Sequence, residues 1–244
     1  MYYYKIDISY DGTKYNGWQR QNNTSDTIQS KIEKALSAIL GVTTEIDGAG
    51  RTDAGVHAKH QTASFCVNNP LDCDSLLQKL AKILPHDIAI NSVIAMPERF
   101  HARLNARGKI YQYRIYTRPE SPVFELNYCF HHSDKLDSAI MRTIAGCFVG
   151  THDFKLYQDN RHIRKSTIRT IYDISIEENN GFIDITFKGD GFMYHMIRHI
   201  VGIMIYYAKT RETIPADFFS LTERHKKWPL APAKGLTLIS VIYD

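Results

Sequence analysis

The segment GAGRTDAGVHA, which begins at Gly48, surrounds one carboxylate, Asp53, with glycines. Gly50 and Gly55 allow the backbone to turn sharply or to approach a ligand closely. An ionised aspartate can act as a nucleophile or as a base in covalent catalysis. Arg51 lies two positions before Asp53, so in an extended loop both side chains share one side and the guanidinium keeps the carboxylate charged. By itself, such a segment is more typical of a tight turn with a surface ion pair, and a catalytic carboxylate is the alternative interpretation.

Other reactions match this segment poorly. It contains no G-K-[ST], its glycines do not follow the G-x-G-x-x-G spacing, and its carboxylate would repel phosphate. An ordinary glycosidase needs two opposed carboxyl groups, and the segment supplies one. His57 and His60 form HAKH, but no acidic or cysteine residue stands beside them at metal-ligand spacing. We therefore predict no metal site.

Two further side chains combine a reactive group with an apolar setting. Tyr111 begins the Y-x-Y of the strand-like KIYQYRI, where alternation by itself predicts a core tyrosine, as it does for Tyr113. Arg198 lies early in the apolar, helix-like MYHMIRHIVG, and a charge in such a setting is seldom buried without a partner. An arginine that extends to solvent from the helix edge is the alternative interpretation.

Basic residues recur among aromatic residues, a pattern that suits contacts with an RNA backbone and stacking on bases. The chain has 30 Lys and Arg against 26 Asp and Glu, a formal net charge of +4 that favours a polyanionic partner. Charge runs are also typical of any solvated surface. Trp18 fits either RNA contact or core packing. The candidate RNA-binding residues are Arg20, Arg99, Arg103, Arg161, Arg164 and Lys165.

Hydrophobic periodicity indicates two related α+β halves. Residues 3–12 alternate like a strand that ends in a turn, and a helix follows with Ser25 or Asp26 as its cap and Gly41 at its end. Two strands flank the glycine-rich segment, which gives the order βαββ, and the second half of the chain repeats strand, helix and paired strands. In the last helix, the apolar positions that follow the helical period are Met193, Met196, Ile197, Ile200, Val201, Met204, Ile205 and Ala208.

Residues 1–100 form the first half, which carries the catalytic loop, and residues 101–244 form the second. We expect these halves to make a continuous, mostly antiparallel mixed sheet with helices on one face and an RNA-binding cleft between the halves. The N-terminus lacks the apolar segment of a signal peptide, and the longest apolar run, 200–208, is too short to span a bilayer. The four cysteines show no disulfide or zinc pattern. These features predict a soluble cytoplasmic protein that does not associate with a membrane.

Seven motifs occur in the order found in a known enzyme family. They are YDGTKYNGWQRQ, GRTDAGVHA, LPHDIAI, RFHARLNARGKIYQYRI, GTHDF, GDGFMYHMIRHIVG and APAKGLTLISVIY. Over essentially the whole chain these motifs resemble the tRNA pseudouridine synthase A family, of which GRTDAGVHA is a highly specific signature. The resemblance implies an isomerase that converts uridine to pseudouridine at positions 38 to 40 of the tRNA anticodon stem-loop, without a cofactor and as a homodimer.

The resemblance also implies roles for individual residues. Asp53, with Arg51 beside it, corresponds to the catalytic nucleophile or base, Tyr111 to the active-site tyrosine that stacks under the flipped uracil, and Arg198 to the arginine that pairs with the aspartate. The reaction is redox-neutral, so it needs neither a metal nor a nicotinamide. Two other interpretations stay open: a catalytically silent RNA-binding module, and a pseudouridine synthase that acts on a different structured RNA.

Overall fold

The computed structural model describes residues 1–160 and 166–243, which form strands and four α-helices. In chain order they are β1 (Tyr2–Tyr10), α1 (Ile28–Leu40), β2 (Asp47–Gly48), β3 (His57–Val67), α2 (Cys73–Ile83), β4 (Ile88–Met96), β5 (Gly108–Tyr116), β6 (Phe130–His131), α3 (Ser138–Phe148), β7 (Gly150–Asp153), β8 (Ile168–Asn179), β9 (Phe182–Gly189), α4 (Met196–Thr210) and β10 (Leu236–Ile242). Short 3₁₀ turns lie in several of the connections.

The chain divides into two compact units, each built around antiparallel strands. Unit 1 consists of Met1–Arg107 and Leu238–Asp244, and its strands follow the order β4, β1, β3, β10, with β2 paired to β3. Unit 2 is Gly108–Thr237, with the order β5, β9, β8, β7 and a parallel pairing of β6 with β5. The predicted α+β class with a mostly antiparallel mixed sheet is confirmed.

The core of unit 1 follows directly from the alternation of β1. Tyr4, Ile6, Ile8 and Tyr10 are buried, while the residues between them are more accessible. Because successive side chains of a strand point to opposite faces, this pattern gives the sheet one apolar face. The helices α1 and α2 pack against each other, and α2 packs on β4.

Thr27 caps helix α1, so the expectation of Ser25 or Asp26 was wrong. The Thr27 hydroxyl accepts a hydrogen bond from the backbone N–H of Ser30 at 3.3 Å. Threonine offers the same short side-chain oxygen as serine or aspartate, and it stands directly before the first helical residue, where a cap must lie. Gly41 ends the helix in the left-handed conformation, with φ of 69°, as predicted.

Helix α4 dominates the core of unit 2. Every residue from Met196 to Ala208 is buried except Arg198, which is half-buried. The buried part of the helix surface is wider than the apolar stripe that the sequence predicted, because other segments of the chain cover the helix on several sides. The segment Pro229–Ala231 crosses α4 at Gly202, where an added Cβ would lie 1.8 Å from the Pro229 carbonyl oxygen. None of the helices in the described part of the chain has the length and apolar character needed to cross a membrane.

We predict that Gly202→Ala destabilises the protein by about 1–3 kcal/mol, because the new methyl group must displace the crossing segment. Gly146→Ala in α3 is the matched control, since nothing lies within 4 Å of an added Cβ there. Alanine is the better helix former, so the control variant should gain about 0.5–1 kcal/mol. Urea denaturation measures both changes, and stability changes of the same sign would contradict this description of the crossing.

Candidate active site

The glycine-rich loop of unit 1, residues 49–56, connects the short strand β2 to β3. In β2, Asp47 pairs with Ser64 and Gly48 pairs with Ala63. An added Cβ at Gly48 would lie 2.5 Å from the indole nitrogen of Trp18, so only glycine fits beside this ring. Trp18 itself is 2% exposed, which supports the core interpretation of this residue. The start of the loop is therefore packed directly on the core of unit 1.

Thr52 anchors the loop immediately before Asp53. Its hydroxyl lies 2.8 Å from the Tyr10 hydroxyl in a buried hydrogen bond. Its carbonyl oxygen accepts a hydrogen bond from the Trp18 N–H at 3.0 Å. Burial raises the pKa of Tyr10 above its usual range, although hydrogen bonds with Thr52 and Gln61 act in the opposite direction. The phenol therefore stays protonated, and the anchor persists across the physiological pH range.

Two glycines with positive φ shape the backbone around Asp53. Gly17 has φ of 87°, and an added Cβ there would lie 2.7 Å from the Thr52 carbonyl oxygen and 3.2 Å from the Asp53 carbonyl carbon. Gly55 has φ of 78° and forms a turn in which the Val56 N–H donates to the Asp53 carbonyl oxygen at 3.2 Å. The main chain of Asp53 is thus fixed on both sides, and its side chain is half-buried.

The end of the loop also lies in close contact with the turn that follows β1. Gly12 donates its N–H to Nδ1 of His57 at 3.1 Å, and an added Cβ at Gly12 would lie 2.0 Å from the Val56 carbonyl oxygen. His60, the other histidine of HAKH, is exposed and lies 2.7 Å from a carboxylate oxygen of Asp7. The two histidines therefore have different partners, and His57 supports the loop.

In unit 2, the tyrosines of the Y-x-Y in β5 are both buried but have different surroundings. Tyr111 is 7% exposed and contacts Phe192 edge to face, with ring centroids 5.5 Å apart. Tyr113 is fully buried, and its hydroxyl donates to the Pro232 carbonyl oxygen at 2.8 Å. Burial raises the pKa of Tyr113, while the nearby charge of Arg198 opposes this rise. Tyr113 is therefore a core tyrosine with a satisfied hydroxyl.

Arg198 is fixed against the segment that crosses α4. Its Nε donates to the Ala231 carbonyl oxygen at 2.7 Å, and the Ala231 N–H donates to the Arg198 carbonyl oxygen at 3.2 Å. Because the guanidinium is planar, a bond at Nε also sets the plane of its two amino groups. Arg198 is half-buried and bonded to the main chain, which does not fit an arginine that merely extends to solvent from the helix edge.

The predicted catalytic residues are thus divided between the two units. Arg51 and Asp53 share the loop of unit 1, where Arg51 is exposed, and Tyr111 and Arg198 belong to unit 2.

The candidate RNA-binding residues have varied surroundings. Arg20 forms ion pairs with Glu33 at 3.0 Å and with Glu45 at 2.8 Å. Arg99 and Arg103 are exposed. The predicted RNA-binding residues Arg161, Arg164 and Lys165 lie outside the described residues.

A cluster that the sequence analysis missed lies at the start of α4. Donor atoms of Asp159, His195 and His199 lie within 4.8 Å of one another, a grouping that could hold a metal ion. A guanidinium nitrogen of Arg224 lies 2.8 Å from an Asp159 carboxylate oxygen, and this positive charge disfavours a cation at the same place. The spacing of His195 and His199, one helical turn apart, was the only signal in the sequence. Asp159 and Arg224 join them through the tertiary fold.

Comparison with known proteins defines the class to which this fold and loop belong. Residues 7–105 and 144–244 match the family model described as tRNA pseudouridine synthase. The chain therefore belongs to the tRNA pseudouridine synthase family, a family of isomerases.

Individual relatives carry a more specific name. The tRNA pseudouridine synthase A of Bacillus sp. (strain KSM-64) is 43% identical over 202 residues, which cover 83% of each chain. The tRNA pseudouridine synthase A of Thermoanaerobacter sp. (strain X514) is 39% identical over 240 residues, 98% of each chain. The tRNA pseudouridine synthase A 2 of Bacillus cereus (strain ATCC 10987 / NRS 248) is 38% identical over 244 residues, 99% of each chain.

We predict that Gly17→Ala loosens the loop, whereas Gly41→Ala does not. Both glycines have positive φ, so alanine costs roughly 1–2 kcal/mol at either position. Only at Gly17 does the new methyl group also meet the loop backbone, because nothing lies within 4 Å of an added Cβ at Gly41. Hydrogen exchange should therefore be faster at the amides of Trp18 and Val56 in Gly17→Ala alone. Unchanged exchange there would show that Gly17 does not hold the loop.

Proposed function

We propose that the protein isomerises uridine to pseudouridine in tRNA, at positions 38 to 40 of the anticodon stem-loop. The family match and the relatives of nearly equal length support the reaction and the class of RNA. The observation that carries the catalytic assignment is the loop itself. Its single carboxylate, Asp53, stands in a backbone fixed by Gly17, Thr52 and Val56.

The proposed reaction requires one well-placed carboxylate. The C1′–N1 bond of uridine breaks, the base turns, a C1′–C5 bond forms, C5 loses its proton and N1 gains one. Because substrate and product are isomers, no electrons or atoms are exchanged with a cofactor. Asp53 acts as the nucleophile or base at the sugar or the base, and the exposed Arg51 belongs to the same loop.

The rigidity of the loop supports this role for Asp53. A catalytic group that is already oriented saves the entropy of ordering it at the moment of reaction, and a displacement of about 1 Å can lower a rate by about 100-fold. The loop is held by main-chain contacts and by the buried Tyr10–Thr52 hydrogen bond. These contacts fix the main chain of the loop and therefore the position from which the Asp53 side chain acts.

Tyr111 and Arg198 complete the proposed catalytic set. Tyr111 offers an aromatic ring, already steadied by Phe192, on which a flipped uracil can stack. Arg198 takes the role that the resemblance implies for the arginine of the catalytic set, and its bond to Ala231 sets the orientation of the guanidinium.

We further propose that tRNA binds through the basic residues. Arg99 and Arg103 are exposed and suited to phosphate contacts, and Arg20 would exchange its glutamate partners for phosphate. Arg161, Arg164 and Lys165 complete this set. As the resemblance implies, the protein acts as a homodimer, and we place it in the cytoplasm.

We predict that Asp53→Asn abolishes turnover while tRNA affinity changes by less than about threefold, because the charge is lost without a change of volume. Asp47→Asn is the matched control, since Asp47 is an exposed aspartate in β2, the strand that leads into the same loop. Release of tritium from C5-labelled uridine in an anticodon stem-loop measures the reaction under single-turnover conditions. Measurable turnover by Asp53→Asn would remove Asp53 from the central role.

We also predict that Arg198→Lys lowers the single-turnover rate by about 10- to 100-fold, because lysine keeps the charge but cannot bond Ala231 through Nε and lacks the planar fork. Arg114→Lys is the control, because Arg114 makes a two-bond pair with Asp184 at 2.7 and 2.8 Å in the same unit. Equal rates for Arg198→Lys and wild type would mean that charge alone is sufficient at this position.

A further inference from the structure

The half-buried carboxylate of Asp159 contacts three side chains that carry nitrogen donors, from two other parts of unit 2. One of its oxygens lies 2.8 Å from Nδ1 of His195 and 2.9 Å from Nε2 of His199, and the other lies 2.8 Å from a guanidinium nitrogen of Arg224. Arg224 also contacts the His199 ring, 3.1 Å from Nδ1. Asp159 follows the 3₁₀ turn Lys155–Tyr157, so the cluster joins three segments that are distant in sequence.

The charges in this cluster are mutually consistent. Burial alone would raise the pKa of Asp159, but hydrogen bonds from His195, Arg224 and His199 hold it well below its usual range. Burial lowers the pKa of His199, so near neutral pH its ring is neutral. The Arg224 nitrogen that lies 3.1 Å from Nδ1 of His199 also lies 2.5 Å from Nε2, so the guanidinium contacts both the carboxylate and the ring. The carboxylate therefore stays ionised and bound to all three partners.

His195 is held in an unusual backbone conformation by this contact. It is the residue before α4 and has φ of 64°, a left-handed conformation that is unfavourable for a residue with a side chain. It does not cap the helix with its side chain, and its imidazole instead reaches Asp159. Such a conformation persists where the surroundings impose it. Asp159 thus fixes the start of the helix, three residues before Arg198.

Arg224 connects the cluster along the chain to Ala231, whose carbonyl oxygen accepts the hydrogen bond from Arg198. Arg224 stands shortly before the segment Pro229–Ala231, which crosses α4 at Gly202 and receives the Nε–H of Arg198 on Ala231. The chain between Arg224 and Ala231 is therefore attached to the helix at both ends. Asp159 contacts Arg224, at one end of this segment, and also His195, at the start of the helix.

We propose that Asp159 is a positioning residue for Arg198. Together with His195, His199 and Arg224, it holds the start of α4 and the chain leading to Ala231 in the arrangement that orients the Arg198 guanidinium. This inference rests on the proposed function of Arg198 in the isomerisation of uridine. The network touches neither the substrate nor the reacting atoms and acts through Arg198.

A double-mutant cycle tests this role. Asp159→Asn should lower the single-turnover rate on the anticodon stem-loop by about tenfold, with RNA affinity within about threefold of wild type. In the Arg198→Met background it should cause no further loss, because residues that act as a unit are not additive. Asp137→Asn is the control, since Asp137 pairs with Arg211 at the opposite end of α4 and should leave the rate unchanged.

A second variant covers the case in which Asp159→Asn does not fold. Arg224→Gln removes one attachment of the same network at a partly exposed position and should give the same non-additive loss with Arg198→Met. A full rate in folded Asp159→Asn or Arg224→Gln, or an equal loss in both backgrounds, would overturn the inference while the proposed function stands. No turnover by the wild-type protein would overturn both.

Discussion

The placement of Asp53 depends on a close contact between two stretches of main chain: the turn after β1 and the loop before β3. Added Cβ atoms would lie 2.0 Å from the Val56 carbonyl oxygen at Gly12 and 2.7 Å from the Thr52 carbonyl oxygen at Gly17. The same turn supplies the Gly17 and Trp18 carbonyl oxygens that accept the first N–H groups of α1, at 3.2 and 3.0 Å. One turn therefore fixes β1, α1 and the loop together.

The sequence predicted the long elements of the fold better than the short ones. The alternation of β1 and the helix end at Gly41 are local properties, and each was found where it was expected. The strands β6 and β7 have two and four residues, too few to show a period. The helix α4 starts at Met196 rather than further upstream, because His195 adopts a left-handed conformation imposed by a distant carboxylate.

The candidate site likewise has some features that the local sequence predicts and others that it does not. The glycines and Asp53 stand together in the sequence, so one short segment is enough to propose their chemistry. The contacts that hold them could not be predicted, because Tyr10 and Thr52 are 42 positions apart, and the same is true near Arg198, where Asp159 and His199 are 40 positions apart. Such partners are chosen by strand pairing and helix packing, and no local pattern in the sequence of either partner indicates the other.

In both units, a close contact at a glycine fixes the main chain beside a proposed functional side chain. In unit 1 the close approach of Gly17 fixes the main chain at Thr52, next to Asp53, and in unit 2 the close approach of Gly202 fixes Pro229–Ala231 beside Arg198. Contacts between main-chain atoms cannot be replaced by a different side chain, since any Cβ would overlap a carbonyl oxygen. The surface arginines face no such restriction. The geometry of the proposed catalytic groups is therefore constrained at glycines, whereas the proposed RNA-binding arginines can change without disturbing it.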